Sequence, residues 1–428
     1  MARPVMFPVT AAAWRCGAAC AAIVLLSAIT LAAQGGRTDP AFLEVPFAEW
    51  LSHKGKPQVP WKTYVKAMGL SWHQRLWARI SIRVDGKELF KRKSHEEIRA
   101  YVQVTDRAGR VYQDHGVMQL ENVDKSTRGG NANFDLDVFA LPGEYDVALA
   151  VFDLAAGEHS ATRKTLRIAP LKDDPLPESW SNFPPVELLP RRDKYEGYYR
   201  PDITTRLQLP LVTLPRVEVD LLVALNTRDS NSRFFLHDTL SDLLPTLKTL
   251  SQIDVRNGTL RVTMLDLLRR VVAFDQPELG ELGWPILRKA LERSDPGSVS
   301  IKTLQGLEQR PEFLRQVLNR WLSGRSGENS PPVSPPDASM PPAAGSEQPV
   351  RVLIVLSDPV YLSEWKRPPK VTTPANCNCR VYYIPLWQPA YDELREMLNP
   401  VRPHVFPADS PLKGRKALAA ILEELRRL

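Results

Sequence analysis

The sequence predicts two domains of different class, an antiparallel β-sandwich followed by a doubly wound, mostly parallel α/β sheet, and three observations lead there. Across residues 77–168, short runs alternate apolar and polar side chains, with turn residues between them and no helical period. From Arg216 onward, apolar runs of strand length alternate with stripes of helical period, the pattern of a parallel sheet with helices on both faces. Two of those runs, residues 216–226 and 350–358, are almost continuously apolar and end in Asn226 and Asp358. Buried parallel strands read this way, and open α/β sheets hold their ligands beyond the carboxyl ends of such strands.

The chain has 428 residues, room for two domains of ordinary size, and its 38 prolines fit a globular protein with punctuated loops. At the N-terminus, Arg3 and Arg15 precede an apolar stretch over residues 17–33, followed by Gln34, Gly35 and Gly36. Basic region, apolar core and small residues in that order form a secretory signal, with cleavage after Ala33. The stretch is shorter than the ~20 residues of a spanning helix, so an uncleaved membrane anchor is the second reading. Residues 34–428 are therefore expected outside the cytoplasm, secreted or periplasmic. Cys16 and Cys20 leave with the signal, and neither follows the apolar core where a lipid-bearing cysteine would stand.

Residues 34–76 form an N-terminal extension in which Trp50, Trp61 and Trp72 are expected to pack a helix onto the following domain rather than to bind sugar. In the first domain, residues 77–170, strands are predicted at 78–84, 98–104, 134–139, 145–152 and 161–168. Asp85-Gly86 and residues 106–109 supply hairpin chemistry, and Leu141-Pro142-Gly143-Glu144 turns the chain into Tyr145. Residues 171–214, with Pro175, Pro177, Pro184, Pro185 and Pro190, read as an extended linker.

The second domain covers residues 215–428. After the first diagnostic strand, Leu236, Leu240, Leu243, Leu244, Leu247 and Leu250 draw a helical stripe. A strand over 258–265 and helices over 284–293 and 311–322 follow, while periodicity leaves 265–274 open between strand and helix. Residues 323–349, mostly Gly, Ser, Pro and Ala, lack the apolar surface to order themselves and read as an insertion within the domain. The second diagnostic strand, a strand over 380–385 and helices over 390–398 and 412–428 complete the alternation. Ahead of the 380–385 strand, Cys377 and Cys379 are expected first to form a disulfide, local or with another chain, then to stay as thiols, and last to bind a soft metal.

On these residues the second domain resembles the von Willebrand factor A-type (VWFA) domain, whose first strand ends in Asp-x-Ser-x-Ser and whose later strand ends in a Thr-Asp-Gly-like turn. The resemblance covers about half the chain and implies a divalent cation, Mg²⁺ or Ca²⁺, held at Asn226, Ser230 and Asp358. The chain departs from the pattern: it reads Asn226-Thr227-Arg228-Asp229-Ser230 and Leu356-Ser357-Asp358-Pro359, so the first Asp is Asn, an Arg replaces the first Ser, and the Gly is lost. Hard cations want several oxygen ligands, so an A-type fold with an eroded metal site and no cofactor is the expectation. The first domain resembles an immunoglobulin-like or macroglobulin-like β-sandwich, in which a Pro-Gly-x-Tyr turn enters a late strand. The pair is similar to secreted bacterial proteins that join an A-type domain to a sandwich.

No Gly-x-Ser-x-Gly elbow, His-Glu-x-x-His helix or Gly-rich phosphate loop occurs. His237 stands near Asp229, Ser230 and Ser232, but a surface histidine at a helix start is the commoner arrangement. The formal charge of +7, of which Arg3 and Arg15 carry two, is mild for this length, and no nucleic-acid module accompanies the basic clusters. The expected function is non-catalytic binding of a protein partner, on the strand-end loops or on the sandwich. The alternative is an extracytoplasmic metal-assisted hydrolase acting through Asn226, Asp229 and Asp358.

Overall fold

The computed structural model describes residues 39–52, 57–121, 123–227, 236–278, 280–295, 301, 305–324, 348–362, 367–373, 377–388 and 391–428. The predicted signal region, Asp229 and Ser230 lie outside the described residues, as does most of the predicted insertion. Two compact units are present. Of the described residues, one holds those up to Ala67, Ala78–Ala169 and Pro185–Leu189; the other holds those of Met68–Trp77, Pro170–Pro184 and Pro190–Leu428.

The first unit is built from strands β1 (Trp61–Leu70), β2 (Leu76–Asp85), β3 (Glu97–Thr105), β4 (Val111–Gln119), β5 (Asn131–Ala140), β6 (Gly143–Asp153), β7 (Glu158–Ile168) and β8 (Val186–Leu189). They form two four-stranded antiparallel sheets, ordered β1-β2-β5-β8 and β4-β3-β6-β7. Period-two alternation gives each sheet one fully buried row, such as Ile80, Ile82 and Val84 in one and Ile98, Ala100, Val102 and Val104 in the other. Helix α1 (Phe47–Ser52) lays Phe47 and Trp50 over Tyr101, Ala148 and Ala150, so Trp50 does pack a helix onto the sheet. Asp85 departs from its expected role: it caps helix α2 (Gly86–Lys91), accepting from the Lys87 N–H at 2.8 Å, instead of turning a hairpin. The linker is no plain crossover either, since Val186–Leu189 adds β8 beside β5.

In the second unit, helix α3 (Lys194–Tyr199) precedes β9 (Leu209–Leu211), β10 (Val217–Leu225), α4 (Leu236–Leu250), β11 (Ile253–Val255), β12 (Gly258–Asp266), β13 (Val271–Gln276), α5 (Trp284–Arg293) and α6 (Arg310–Leu322). Then come β14 (Val350–Ser357), β15 (Cys379–Pro385), α7 (Glu393–Leu398), β16 (His404–Val405) and α8 (Pro411–Arg426). The main sheet has the order β13-β12-β10-β14-β15-β16, all parallel except the edge strand β13. The ambiguous stretch after residue 265 resolves into the end of β12, a turn and this antiparallel edge. One face of the sheet, with Leu222, Ala224, Leu353, Val355 and Tyr383, packs under Leu314, Leu318 and Trp321 of α6 and Leu394 and Met397 of α7. Register is fixed at the start of β12. A Cβ on Gly258 would lie 1.7 Å from the Val217 carbonyl oxygen, so only glycine permits this pairing, which runs on to bring Leu225 opposite Asp266.

A buried cation ties the segment before the sheet to its last helix. The Arg415 guanidinium on α8, fully buried, grips Asp174 through Nε at 2.5 Å and a terminal nitrogen at 2.9 Å. It also donates to the Leu176 carbonyl and Ser179 Oγ and lies over the Trp180 ring, 4.4 Å from its centroid. Removing one partner of a buried ion pair strands the other. Arg415→Ala is expected to destabilise the second unit by about 3–5 kcal/mol in urea unfolding followed by tryptophan fluorescence; a loss under about 1 kcal/mol would show that Asp174 finds other partners.

Candidate functional site at the strand ends

Parallel pairing of β10 with both β12 and β14 brings three strand ends together: Asn226 after β10, Asp266 closing β12, and Asp358 after β14. Asn226 sits in the left-handed region at φ +55°, a conformation that asparagine tolerates better than most residues, and this turns its side chain off the strand line. Its Nδ2 donates to Asp266 Oδ1 at 2.8 Å and to the Ser294 carbonyl at 3.0 Å. Because both neighbours are acceptors, the amide nitrogen must face them. Asp266 is fully buried, and its carboxylate also accepts the Leu268 and Arg269 N–H groups and the Arg269 guanidinium, the last at 2.9 Å. Arg269 in turn holds the Asp295 carbonyl at 2.9 Å.

Asp358, 8% exposed, turns to a different partner, accepting from Thr239 Oγ1 of α4 at 2.6 Å. The backbone around it is clamped. Tyr361 N–H donates to the Thr227 carbonyl at 2.8 Å, joining the loops after β14 and β10. Val360 N–H and Leu394 N–H both donate to Asp392 Oδ1, and Leu362 N–H donates to Glu393 Oε1 at 3.0 Å. Arg310 of α6, buried, donates to the Leu362 carbonyl at 3.2 Å. Beneath this loop the Tyr383 hydroxyl donates to Asp392 Oδ2 at 2.6 Å and receives a longer contact, 3.4 Å, from Ser357 Oγ. Burial pushes the Tyr383 phenol well above its ordinary range and raises the Asp392 carboxyl.

The strands of Asn226 and Asp358 are therefore neighbours, but their side chains point to separate partners. Each is already engaged: Asn226 turns its N–H groups inward, Asp266 has three donors and a guanidinium for its charge, and Asp358 accepts from Thr239. Among the described residues, the group of His, Cys, Asp or Glu side chains close enough to share a metal is Asp39, Asp114 and His115, in the first unit. Cys377 and Cys379 are joined by a disulfide at the start of β15, at the opposite end of the sheet from Asp358.

Sequence reasoning missed Asp266, Arg269, Tyr383, Asp392, Glu393 and Arg310. Asp266 ends an apolar run as Asn226 and Asp358 do, and Asp392 caps α7, so both carried a signal. Beyond the clamped loops, Trp387 and Tyr391 stand 49% and 46% exposed in the segment after β15.

No protein-family model matches the chain, and no curated protein matches it. Among solved structures, an X-ray structure described as Northeast Structural Genomics Consortium target SoR45 aligns with 27% of this chain and 89% of its own, at 11% identity and a TM-score of 0.17. A similarity at that level carries no argument about fold or function.

Two outcomes follow from this geometry. Asn226→Asp replaces a donor with a second carboxylate beside Asp266 and should destabilise the protein by about 2 kcal/mol at neutral pH. One carboxyl of the new pair would have a raised value, so the deficit should shrink in acid; a deficit unchanged from neutral to acid in chemical unfolding would contradict the pairing. Burial likewise makes the folded protein hold the Asp392 proton to higher pH than the unfolded chain does. This contribution favours folding below the ordinary carboxylate range and is lost as pH climbs through the raised value. Asp392→Asn should flatten that dependence, and an unaltered stability profile would show that Asp392 does not supply it.

Proposed function

We propose that the protein is a non-catalytic, extracytoplasmic binding or scaffold protein that presents an A-type α/β domain with an eroded metal site and uses the loops beyond its strand ends to dock a protein partner. The observation that carries this reading is the wiring of Asn226: where the A-type pattern has a carboxylate for a cation, this chain has an amide donating to Asp266 and Ser294. The strand order β13-β12-β10-β14-β15-β16, with the third strand in sequence forming the antiparallel edge, supports the A-type assignment. Support for an immunoglobulin-like sandwich in the first unit comes from Tyr145, whose hydroxyl donates to the Leu141 carbonyl four residues upstream at 2.7 Å, the tyrosine corner of such folds.

Hydrolysis through Asn226, Asp229 and Asp358 is the weaker reading, because Asn226 and Asp358 are each held by structural partners and neither faces the other. A docking face suits the same geometry. Loops clamped by Asp392, Glu393 and Arg310 lose little freedom on binding, and exposed Trp and Tyr side chains are the residue types that anchor protein interfaces.

The test begins with a partner cross-linked in the extracytoplasmic fraction and then purified. Trp387→Ala combined with Tyr391→Ala should weaken its binding ~10-fold or more while circular dichroism stays unchanged. Affinity unaltered in that variant, and lost instead on substitutions in the first unit, would move the partner to the β-sheets.

A further inference from the structure

Cys377 and Cys379 are the only cysteines beyond the N-terminal signal region, and their disulfide spans a sequence separation of 2. A cross-link stabilises the fold according to the loop it closes, so a loop this short offers nearly the least that a disulfide can give. The ring nevertheless sits at a junction. Cys379 begins β15 and pairs with Arg351 of β14, and the carbonyl of Asn378, inside the ring, accepts the Arg351 N–H at 2.9 Å. Both cysteines are partly buried against the core under α6, while Asn378 between them is exposed.

Two features fit the reduced state. Cys377 Sγ lies 3.8 Å from the carbonyl oxygen of Leu322, the last residue of α6, an acceptor already in place for a thiol. The Arg351 guanidinium donates to the same oxygen at 3.4 Å, so the sulfur and the cation share one carbonyl acceptor.

We propose that Cys377–Cys379 is a thiol–disulfide exchange site that oxidises free dithiols. A substrate thiolate attacks Sγ of Cys379; the S–S bond breaks, Cys377 leaves as thiolate, takes a proton from solvent and as a thiol faces the Leu322 carbonyl. The substrate's second thiolate then attacks its own sulfur in the mixed disulfide and releases Cys379, which is protonated in turn. The substrate dithiol becomes a disulfide, and two electrons and two protons end on the cysteine pair.

The experiment titrates the full chain in millimolar glutathione buffers, counting thiols by maleimide labelling while circular dichroism follows the fold, and then assays oxidation of a reduced dithiol peptide and of a reduced protein. The pair should open in glutathione without unfolding, and the chain should oxidise the peptide ~10-fold or more faster than the Cys377→Ser/Cys379→Ser variant. Wild-type protein reduced and blocked with iodoacetamide serves as a second control should that variant not fold. Activity on the peptide alone assigns a small-molecule thiol as substrate, and activity on both assigns protein thiols. A disulfide that resists glutathione until denaturant is added, or equal peptide oxidation by blocked and unblocked protein, overturns the proposal.

Discussion

The hydrogen bonds from the Asn226 carboxamide to Asp266 and to the Ser294 carbonyl are the constraint on which the strand-end edge depends. A parallel sheet delivers its strand ends to one side, and here it delivers a fully buried carboxylate, which would be costly without compensation. The Asn226 amide, two backbone N–H groups and the Arg269 guanidinium supply that compensation, and Arg269 and Asn226 between them tie β12 to β10 and to the end of α5. A carboxylate at position 226 would reverse the local charge balance and call for a cation. With asparagine there, an amide takes that place and donates to Asp266 instead.

On the other side of β10 the same economy of donors and acceptors makes the loop after β14 rigid. Asp392 accepts a phenol and two backbone N–H groups, Glu393 accepts a third, and Arg310 covers the Leu362 carbonyl. Buried networks of this kind hold one conformation, because breaking these bonds would leave further polar groups unpaired in a low-dielectric interior. The result is a stiff frame with Trp387 and Tyr391 standing exposed beyond it.

Much of this was legible in the chain. Continuous apolar runs located β10 and β14 and placed Asn226 and Asp358 at neighbouring ends, since buried parallel strands have no polar face to confuse the pattern. Partners were harder to read. Asp266 was lost because its strand runs straight into a tight turn and an edge strand, where apolar periodicity no longer separates strand from helix. Tyr383, Glu393 and Arg310 looked like ordinary members of a strand and two helices, and only tertiary packing buries them together. Strands β1, β4 and β8 were missed for a related reason: β1 and β4 are sheet edges with polar exposed faces, and β8 is a four-residue run among prolines. Asp85 followed by glycine carries the signal of a turn and of a helix cap equally, and the helix won.

Thermal unfolding of residues 34–428 in EDTA and in millimolar Mg²⁺, Ca²⁺ or Mn²⁺ tests the central claim most directly, because a ligand bound only to the folded state must stabilise it, by about 2.7 kcal/mol at a hundredfold excess over its dissociation constant. The account predicts the same unfolding temperature in all four solutions. A metal-dependent rise that disappears in Asp358→Ala would show a working cation site at the strand ends and contradict it.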